Sequence, residues 1–128
     1  MEHLTLDVIP GSYAICRLDP GGAIPSWALT GRFFSVTRTA YEMSVICELA
    51  AAPTGVLAER GWRGVAVQGP LDLSAIGILA GLTGALASAS VSTVAVSTYD
   101  TDYLFVRDAD LQRAVRALRG AGHHVREP

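Results

Sequence analysis

The sequence is poor in charged residues and in motifs typical of catalysis. Charged residues make up 17% of its 128 residues, and the formal net charge is -2 at pH 7. General nucleic-acid-binding proteins usually carry a basic face, so this composition argues against that class. The sequence has no Walker loop, no dinucleotide-binding loop and no spacing typical of a catalytic triad. It therefore gives no motif-based reason to predict an enzyme.

Long uninterrupted apolar runs are also lacking, although half of the residues are hydrophobic and the mean hydropathy is +0.34. The most apolar uncharged stretch, residues 75–89, is shorter than the roughly 20 residues that span a bilayer. Acidic residues come early in the chain and no long apolar run follows them, which is not typical of a signal peptide. We therefore expect a cytoplasmic globular protein with one compact body, or two subdomains.

Only two cysteines occur, Cys16 and Cys47, each inside a run of alternating apolar residues. Neither lies at a Cys-x-x-Cys or Cys/His spacing, the spacings typical of metal sites. We predict that both are small buried hydrophobic residues, and we expect no disulfide in a reducing compartment. The sequence predicts no metal and no organic cofactor.

Short apolar alternations predict β-strands in the first half of the chain. The predicted strands are residues 4–9, 12–18, 33–39 and 43–48, of which the last two form a hairpin. Residues 25–29 suit a short helical turn, because proline is accepted at a first helical position. Residues 53–60 stay open between a short helix and a loop.

The second half shows a clearer order of elements. Apolar residues at helical spacing predict one helix at residues 74–89, capped by Asp72 or Ser74, and another at residues 108–119, capped by Asp108. Predicted strands are residues 61–69, 91–97, 102–106 and 123–126. The order βαββαβ is that of a ferredoxin-like α+β sandwich, with both helices on one face of an antiparallel sheet. His123 and His124 are predicted to be a solvated pair.

The stretches GPLDLSAIGILAGL and VSTYDTDYLFV resemble the ACT-domain family. The resemblance is closest to paired ACT domains related to the CASTOR arginine sensors and to the regulatory ends of aspartate kinases. It implies two ACT-like subdomains side by side, a degenerate one at residues 1–60 and an ACT domain at residues 61–128. It also implies a non-catalytic sensor of amino acids, and family habit suggests a homodimer. Because no catalytic domain is attached, we expect the protein either to act through a partner enzyme or regulator or to be a free sensor.

The resemblance further implies that the ligand lies against residues 71–78 and 96–102. Opening amides of the predicted helix, at Ala75, Ile76 and Gly77, suit a carboxylate, and Asp100 or Asp102 could accept from an ammonium. The alternative is structural, because glycine permits close packing and aspartate stabilises turns. The candidate ligand-binding residues are Asp72, Leu73, Ser74, Ala75, Ile76, Gly77, Ile78, Val96, Ser97, Thr98, Asp100, Thr101 and Asp102.

Two other functions stay open at this point. The exposed edge of a ferredoxin-like sheet could serve a homo-oligomerising interaction module that binds no small ligand. An enzyme could also use this scaffold, because a fold does not fix a function. No convincing acid–base pair in the sequence supports the enzyme, and neither nucleic acid nor a membrane is expected as a partner.

Overall fold

The computed structural model describes residues 3–128, and these residues form eight strands, two α-helices and three short 3₁₀ turns. The strands are β1 (Thr5–Val8), β2 (Tyr13–Leu18), β3 (Ser35–Arg38), β4 (Met43–Glu48), β5 (Leu57–Val67), β6 (Thr93–Ser97), β7 (Asp102–Arg107) and β8 (His124–Arg126). The helices are α1 (Ile78–Ser88) and α2 (Leu111–Gly120). The 3₁₀ turns are Ser26–Leu29, Leu49–Ala51 and Asp108–Asp110.

Contacts divide the chain into two compact units. The small unit is Gly11–Trp62, and the large unit joins the chain up to Pro10 with Arg63–Pro128. The structure therefore places β1 in the large unit, whereas the sequence division at residue 60 counts it with the first half. The assignment of the two units as separate subdomains stays a prediction.

The large unit carries the predicted βαββαβ order, from the end of β5 to β8. Its strands lie in the order β6-β7-β5-β1-β8. The strand β1 runs antiparallel to β5 and parallel to β8, so the sheet is mixed rather than wholly antiparallel as expected. The predicted α+β, ferredoxin-like class is confirmed, with β1 as an inserted strand.

One hydrophobic core joins both helices to a single face of this sheet. Buried strand residues recur at every second position, as with Val65 and Val67 on β5, because alternate side chains point to the same face. On α2 the predicted apolar stripe is buried, whereas Asp110 rather than Asp108 precedes the helix and neither side chain caps it. The buried core residues are Leu6, Val8, Val65, Val67, Leu82, Leu86, Val91, Leu104, Val106, Leu111, Ala114, Val115, Leu118 and Val125.

The strand β5 begins at Leu57, inside the segment that the sequence left open between helix and loop. Its first half pairs with β2 in the small unit, where Tyr13 lies opposite Trp62 and Ala14 lies opposite Arg60. Gly61 is the extra residue of this β-bulge and has a φ of 82°. Glycine is favoured at a bulge position whose backbone lies in the left-handed region. The extra residue of the bulge also shifts the alternation of apolar residues by one position. That shift hides the continuity of the strand in the sequence.

The small unit is an antiparallel sheet in the order β3-β4-β2-β5 with its own core. Cys16 and Cys47 are buried in that core, as predicted, and both are free thiols in the structure. Burial raises the pKa of Cys16 and raises that of Cys47 to about 11. Because the thiolate is the reactive form, these cysteines serve as packing residues.

His123 is buried, with 4% of its surface exposed, so the prediction of a solvated histidine pair is wrong for this residue. Its Nδ1 accepts the Leu4 N–H at 3.1 Å, which ties the last strand region to the start of the chain. Its buried Nε2 has no hydrogen-bond partner within residues 3–128. Burial, with a smaller contribution from His3, lowers the pKa of His123.

Acid is expected to destabilise the fold through His123. A histidine whose pKa is lower in the folded chain binds its proton more readily after unfolding, so stability present above about pH 6.5 is lost as the pH falls. We expect the free energy of unfolding in urea to fall by up to about 1.4 kcal/mol per pH unit between pH 6.5 and pH 5. The fall should be shallower in His123→Gln.

The control for this experiment is His124→Gln, which changes the exposed neighbouring histidine and should keep the wild-type pH dependence. Asp7 titrates outside this window, because its hydrogen bonds with Arg126 hold its pKa below the usual value. Equal slopes in wild type and His123→Gln would contradict the prediction.

Candidate functional site

The segment that follows β5 is fastened to the turn between β6 and β7. The Leu71 N–H donates to the Asp100 carbonyl at 2.6 Å, and the Thr101 hydroxyl donates to the Val67 carbonyl at 2.5 Å. At Gly69, an added Cβ would lie 2.9 Å from the Asp100 carbonyl oxygen and 3.1 Å from the Thr101 Cβ. Only a residue without a side chain allows the two backbones to approach this closely.

The β6–β7 turn is held by its own polar groups. The Thr98 N–H donates to the Thr101 carbonyl at 2.8 Å, and the Thr101 N–H donates back to the Thr98 hydroxyl at 3.2 Å. The Ser97 hydroxyl donates to Asp102 Oδ1 at 2.6 Å. These bonds fix the positions from which the Asp100 and Asp102 carboxylates project.

A pocket of about 310 Å³ lies between the segment after β5, the first turn of α1 and the β6–β7 turn. The structure therefore brings together the two segments that the sequence singled out, residues 71–78 and 96–102. Nine candidate residues line the pocket: Asp72, Leu73, Ala75, Ile78, Ser97, Thr98, Asp100, Thr101 and Asp102.

Four candidates do not line the pocket: Ser74, Ile76, Gly77 and Val96. Three residues line it without having been candidates: Leu71, Leu79 and Tyr99. Leu71 and Tyr99 fall inside the two predicted segments, so the resemblance already pointed at them. Leu79 is brought in by the true start of α1, which the apolar spacing alone did not reveal.

The helix α1 begins at Ile78, four residues later than predicted. The Asp72 carboxylate and carbonyl accept the N–H groups of Ser74 and Ala75, so residues 72–75 form a separate turn and neither Asp72 nor Ser74 caps the helix. Gly77 is the N-cap residue, with a φ of 87°, and it does not line the pocket. The prediction that residues 75–77 supply the first-turn N–H groups of the helix is therefore wrong.

The first-turn amides of α1 belong instead to Ile78, Leu79 and Ala80, which have no carbonyl four residues earlier within the helix. Ile78 and Leu79 also line the pocket. The positive end of the helix dipole lies there too, which favours an anionic group. The physical feature that the sequence predicted is present three residues further along the chain.

Of the residues that the structure describes, three carboxylates and no basic side chain line the pocket. Asp72 Oδ1 accepts the Ser74 N–H, and Asp102 Oδ1 accepts the Ser97 hydroxyl. The Asp100 carboxylate makes no hydrogen bond or ion pair within residues 3–128. The pocket thus combines amides that suit an anion with carboxylates that suit a cation.

Comparison with protein families gives two matches along the chain. The ACT domain family model matches residues 57–120, which is half of the chain. The chain belongs to the ACT-domain family. A second model, which describes an N-terminal domain, matches residues 11–54, and no curated protein matches the chain.

Solved structures with the same fold include a protein from Agobacterium tumefaciens with 35% sequence identity and a TM-score of 0.95, matched over 100% of this chain and 96% of that one. A Vibrio cholerae protein of unknown function, described as a possible transport protein, has 22% identity and a TM-score of 0.76 over 92% and 89% of the two chains. The ligand-free regulatory subunit of aspartate kinase from Thermus thermophilus has 12% identity and a TM-score of 0.66 over 91% and 96%. The last two likenesses show the fold alone.

The described part of the chain lacks both a metal-binding group and a bilayer-spanning helix. Residues 3–128 contain no group of three His, Cys, Asp or Glu side chains that could hold a metal ion. Neither α-helix combines the length and the apolar character that crossing a bilayer requires.

Gly69→Ala should disrupt the fastening of the pocket. The added Cβ forces the Asp100 carbonyl and Thr101 away, and such crowding costs about 1–3 kcal/mol of stability. We expect a lower urea midpoint and faster hydrogen exchange at the Leu71 N–H. Gly84→Ala is the control, because an added Cβ on this exposed face of α1 meets no atom within 4 Å and should stabilise by about 0.5–1 kcal/mol. If the Leu71 N–H exchanged as slowly in Gly69→Ala as in the wild type, the predicted role of Gly69 in holding this segment would be contradicted.

Proposed function

We propose that this ACT protein is a non-catalytic regulator that binds a free amino acid in the pocket beside α1. The observation that carries the proposal is the meeting of the α1 first turn with the Asp100 and Asp102 carboxylates around one cavity. A free amino acid carries a carboxylate for the amides and an ammonium for the aspartates. The volume of about 310 Å³ lies at the small end of ligand pockets, which suits a ligand of this size.

The side chain of the ligand would lie against apolar groups. Leu71, Ile78 and Leu79 line the pocket and pack against the core of the large unit, so they offer a fixed apolar wall. The identity of the amino acid is not part of the proposal, because a wall of this kind accepts aliphatic side chains and the stems of longer ones.

The regulatory part of the proposal is supported by the family. The relatives of this fold include proteins named as regulatory subunits of aspartate kinase. We propose that the present chain likewise acts on a partner enzyme or regulator, or as a free sensor, in the cytoplasm. Ligand binding would then shift the population of one state of the chain, and the partner would recognise that state.

We further propose that the small unit is a degenerate ACT-like subdomain, as in the paired branch that includes the CASTOR sensors. The support is a repeated turn. In the β3–β4 turn the Thr39 N–H donates to the Glu42 carbonyl at 2.9 Å, and the Glu42 N–H donates to the Thr39 hydroxyl at 3.2 Å. Thr98 and Thr101 make the same two bonds in the large unit.

Thermal unfolding with each of the twenty amino acids tests the proposed function. A ligand that binds only the folded chain raises the melting temperature once its concentration exceeds its Kd. We expect at least one amino acid to do so at millimolar concentration. We then expect Asp100→Asn to weaken binding by about 10–100-fold in calorimetry, because a hydrogen bond to a charged group contributes about 1.5–3 kcal/mol.

Asp19→Asn is the matched control, because it neutralises an exposed aspartate that does not line the pocket. It should bind like the wild type. No melting shift with any amino acid would refute the proposed function. Unchanged affinity in Asp100→Asn would refute the role of this aspartate.

A second candidate function is self-association through the large unit. Among residues 3–128, β6 pairs only with β7, so its other edge can accept a strand from another chain. Leu73 and Tyr99, which line the pocket, and Ile76, in the segment that leads into α1, have 68%, 82% and 98% of their surfaces accessible. An open sheet edge and exposed apolar side chains in the same unit favour a homodimer that adds strand to strand.

Ala95→Lys is predicted to weaken such a dimer. Ala95 is exposed on β6, and a lysine on an edge strand opposes pairing with another strand. We expect the wild type to be dimeric in size-exclusion chromatography with light scattering, and Ala95→Lys to shift towards monomer. Thr37→Lys, at an exposed position of β3, an edge strand of the small unit, is the control and should stay dimeric. A monomeric wild type would contradict self-association as the function.

A further inference from the structure

Residues 72–76, which we call the flap, border the pocket beside α1 and form hydrogen bonds only among themselves. The Asp72 carboxylate and carbonyl accept the N–H groups of Ser74 and Ala75 at 2.8 and 2.9 Å. Within residues 3–128, the flap makes no other hydrogen bond and no ion pair. All five residues are exposed, and none packs against the core of the large unit. The flap can therefore move as one body without losing a hydrogen bond to the rest of the described chain.

The two ends of the flap are held differently. Before it, the Leu71 N–H donates to the Asp100 carbonyl, and Gly69 packs closely against the same turn. After it, Gly77 has a φ of 87°, and a Cβ built there would meet no atom within 4 Å. Glycine moves between backbone conformations more easily than any other residue. The flap thus has a fixed point at Leu71 and an uncrowded hinge at Gly77.

The flap also carries two large apolar side chains that nothing in the described chain covers. Ile76 is almost wholly exposed, and Leu73 lines the pocket with most of its surface accessible. On the β6–β7 turn, which borders the same pocket, the ring of Tyr99 is exposed as well. Removing apolar surface from water is favourable, so contact among these three side chains is favoured. Such contact would join two borders of the pocket above the cavity.

We propose that the flap is a lid, which closes over the pocket by turning at Gly77 until Leu73 and Ile76 lie on Tyr99. The inference rests on the proposed function, because the closed lid would enclose the amino acid. Closure excludes water, and charge interactions such as that of Asp100 with an ammonium are stronger where water is excluded. The free chain closes in a minor fraction of molecules, and a bound amino acid raises that fraction.

The experiment traps the closed lid in the full chain, with no amino acid present. The folded double variant Leu73→Cys/Tyr99→Cys is oxidised with diamide. We expect an intramolecular disulfide, which runs as a monomer in non-reducing electrophoresis and protects residues 73 and 99 from alkylation in peptide mass spectrometry. The control pair is Leu73→Cys/Ser92→Cys, because the five residues of β6, about 16 Å of strand, separate the exposed Ser92 from the β6–β7 turn. This pair should form no intramolecular disulfide.

A third substitution tests whether apolar contact drives the closure. Adding Ile76→Ser to the double variant removes apolar surface that closure buries, so the disulfide should form about tenfold more slowly. Leu57→Ser is the matched addition, because it removes an exposed leucine of the small unit and should leave the rate unchanged.

Four results would overturn the lid. They are the absence of a disulfide between residues 73 and 99, a disulfide that joins two chains, equally fast cross-linking of the control pair, and an unchanged rate after Ile76→Ser. The second result would assign the exposed apolar side chains to self-association. Amino-acid binding is decided separately by thermal unfolding, so the lid and the proposed function can fail independently.

Discussion

The candidate site depends on one close backbone approach, between Gly69 and the Asp100 carbonyl. The Leu71 N–H and the Thr101 hydroxyl add hydrogen bonds across the same contact. The hydrogen bonds between Thr98 and Thr101 hold the β6–β7 turn in one conformation. The segment after β5 is attached to that turn, so its position is fixed as well. The pocket is the space that remains between this fastened segment and α1.

The start of α1 is the second constraint, and it follows from the first. The segment fastened at Leu71 must still reach the helix, and it does so through the Asp72 turn and Gly77 in the left-handed region. Because of this turn the helix begins only at Ile78, so the unpaired amides of its first turn lie at the pocket. A helix that began at residue 74, as the apolar spacing indicates, would fill the space where the segment now bends.

Local patterns predicted most of the fold, and non-local contacts account for the differences. The sequence predicts all eight strands and both helices, although it starts β5 at residue 61 instead of Leu57, and the two segments of the site follow from the family resemblance. The pairing of β1 with β8 brings together the two ends of the described chain, and no local sequence pattern predicts this pairing. The bulge at Gly61 breaks the alternation of β5, and the burial of His123 depends on a bond to Leu4.

The two β-hairpin turns show why one unit forms the pocket beside a helix and the other does not. In the large unit the carbonyl of Asp100 accepts the main-chain N–H of Leu71, whereas in the small unit the equivalent carbonyl of Tyr41 accepts the guanidinium of Arg17 at 3.0 Å. The bond to Leu71 fixes a backbone segment beside the turn, whereas the bond to Arg17 attaches only a side chain to it. The segment after β5 comes to lie beside α1 because Gly69 lets its backbone approach the β6–β7 turn closely.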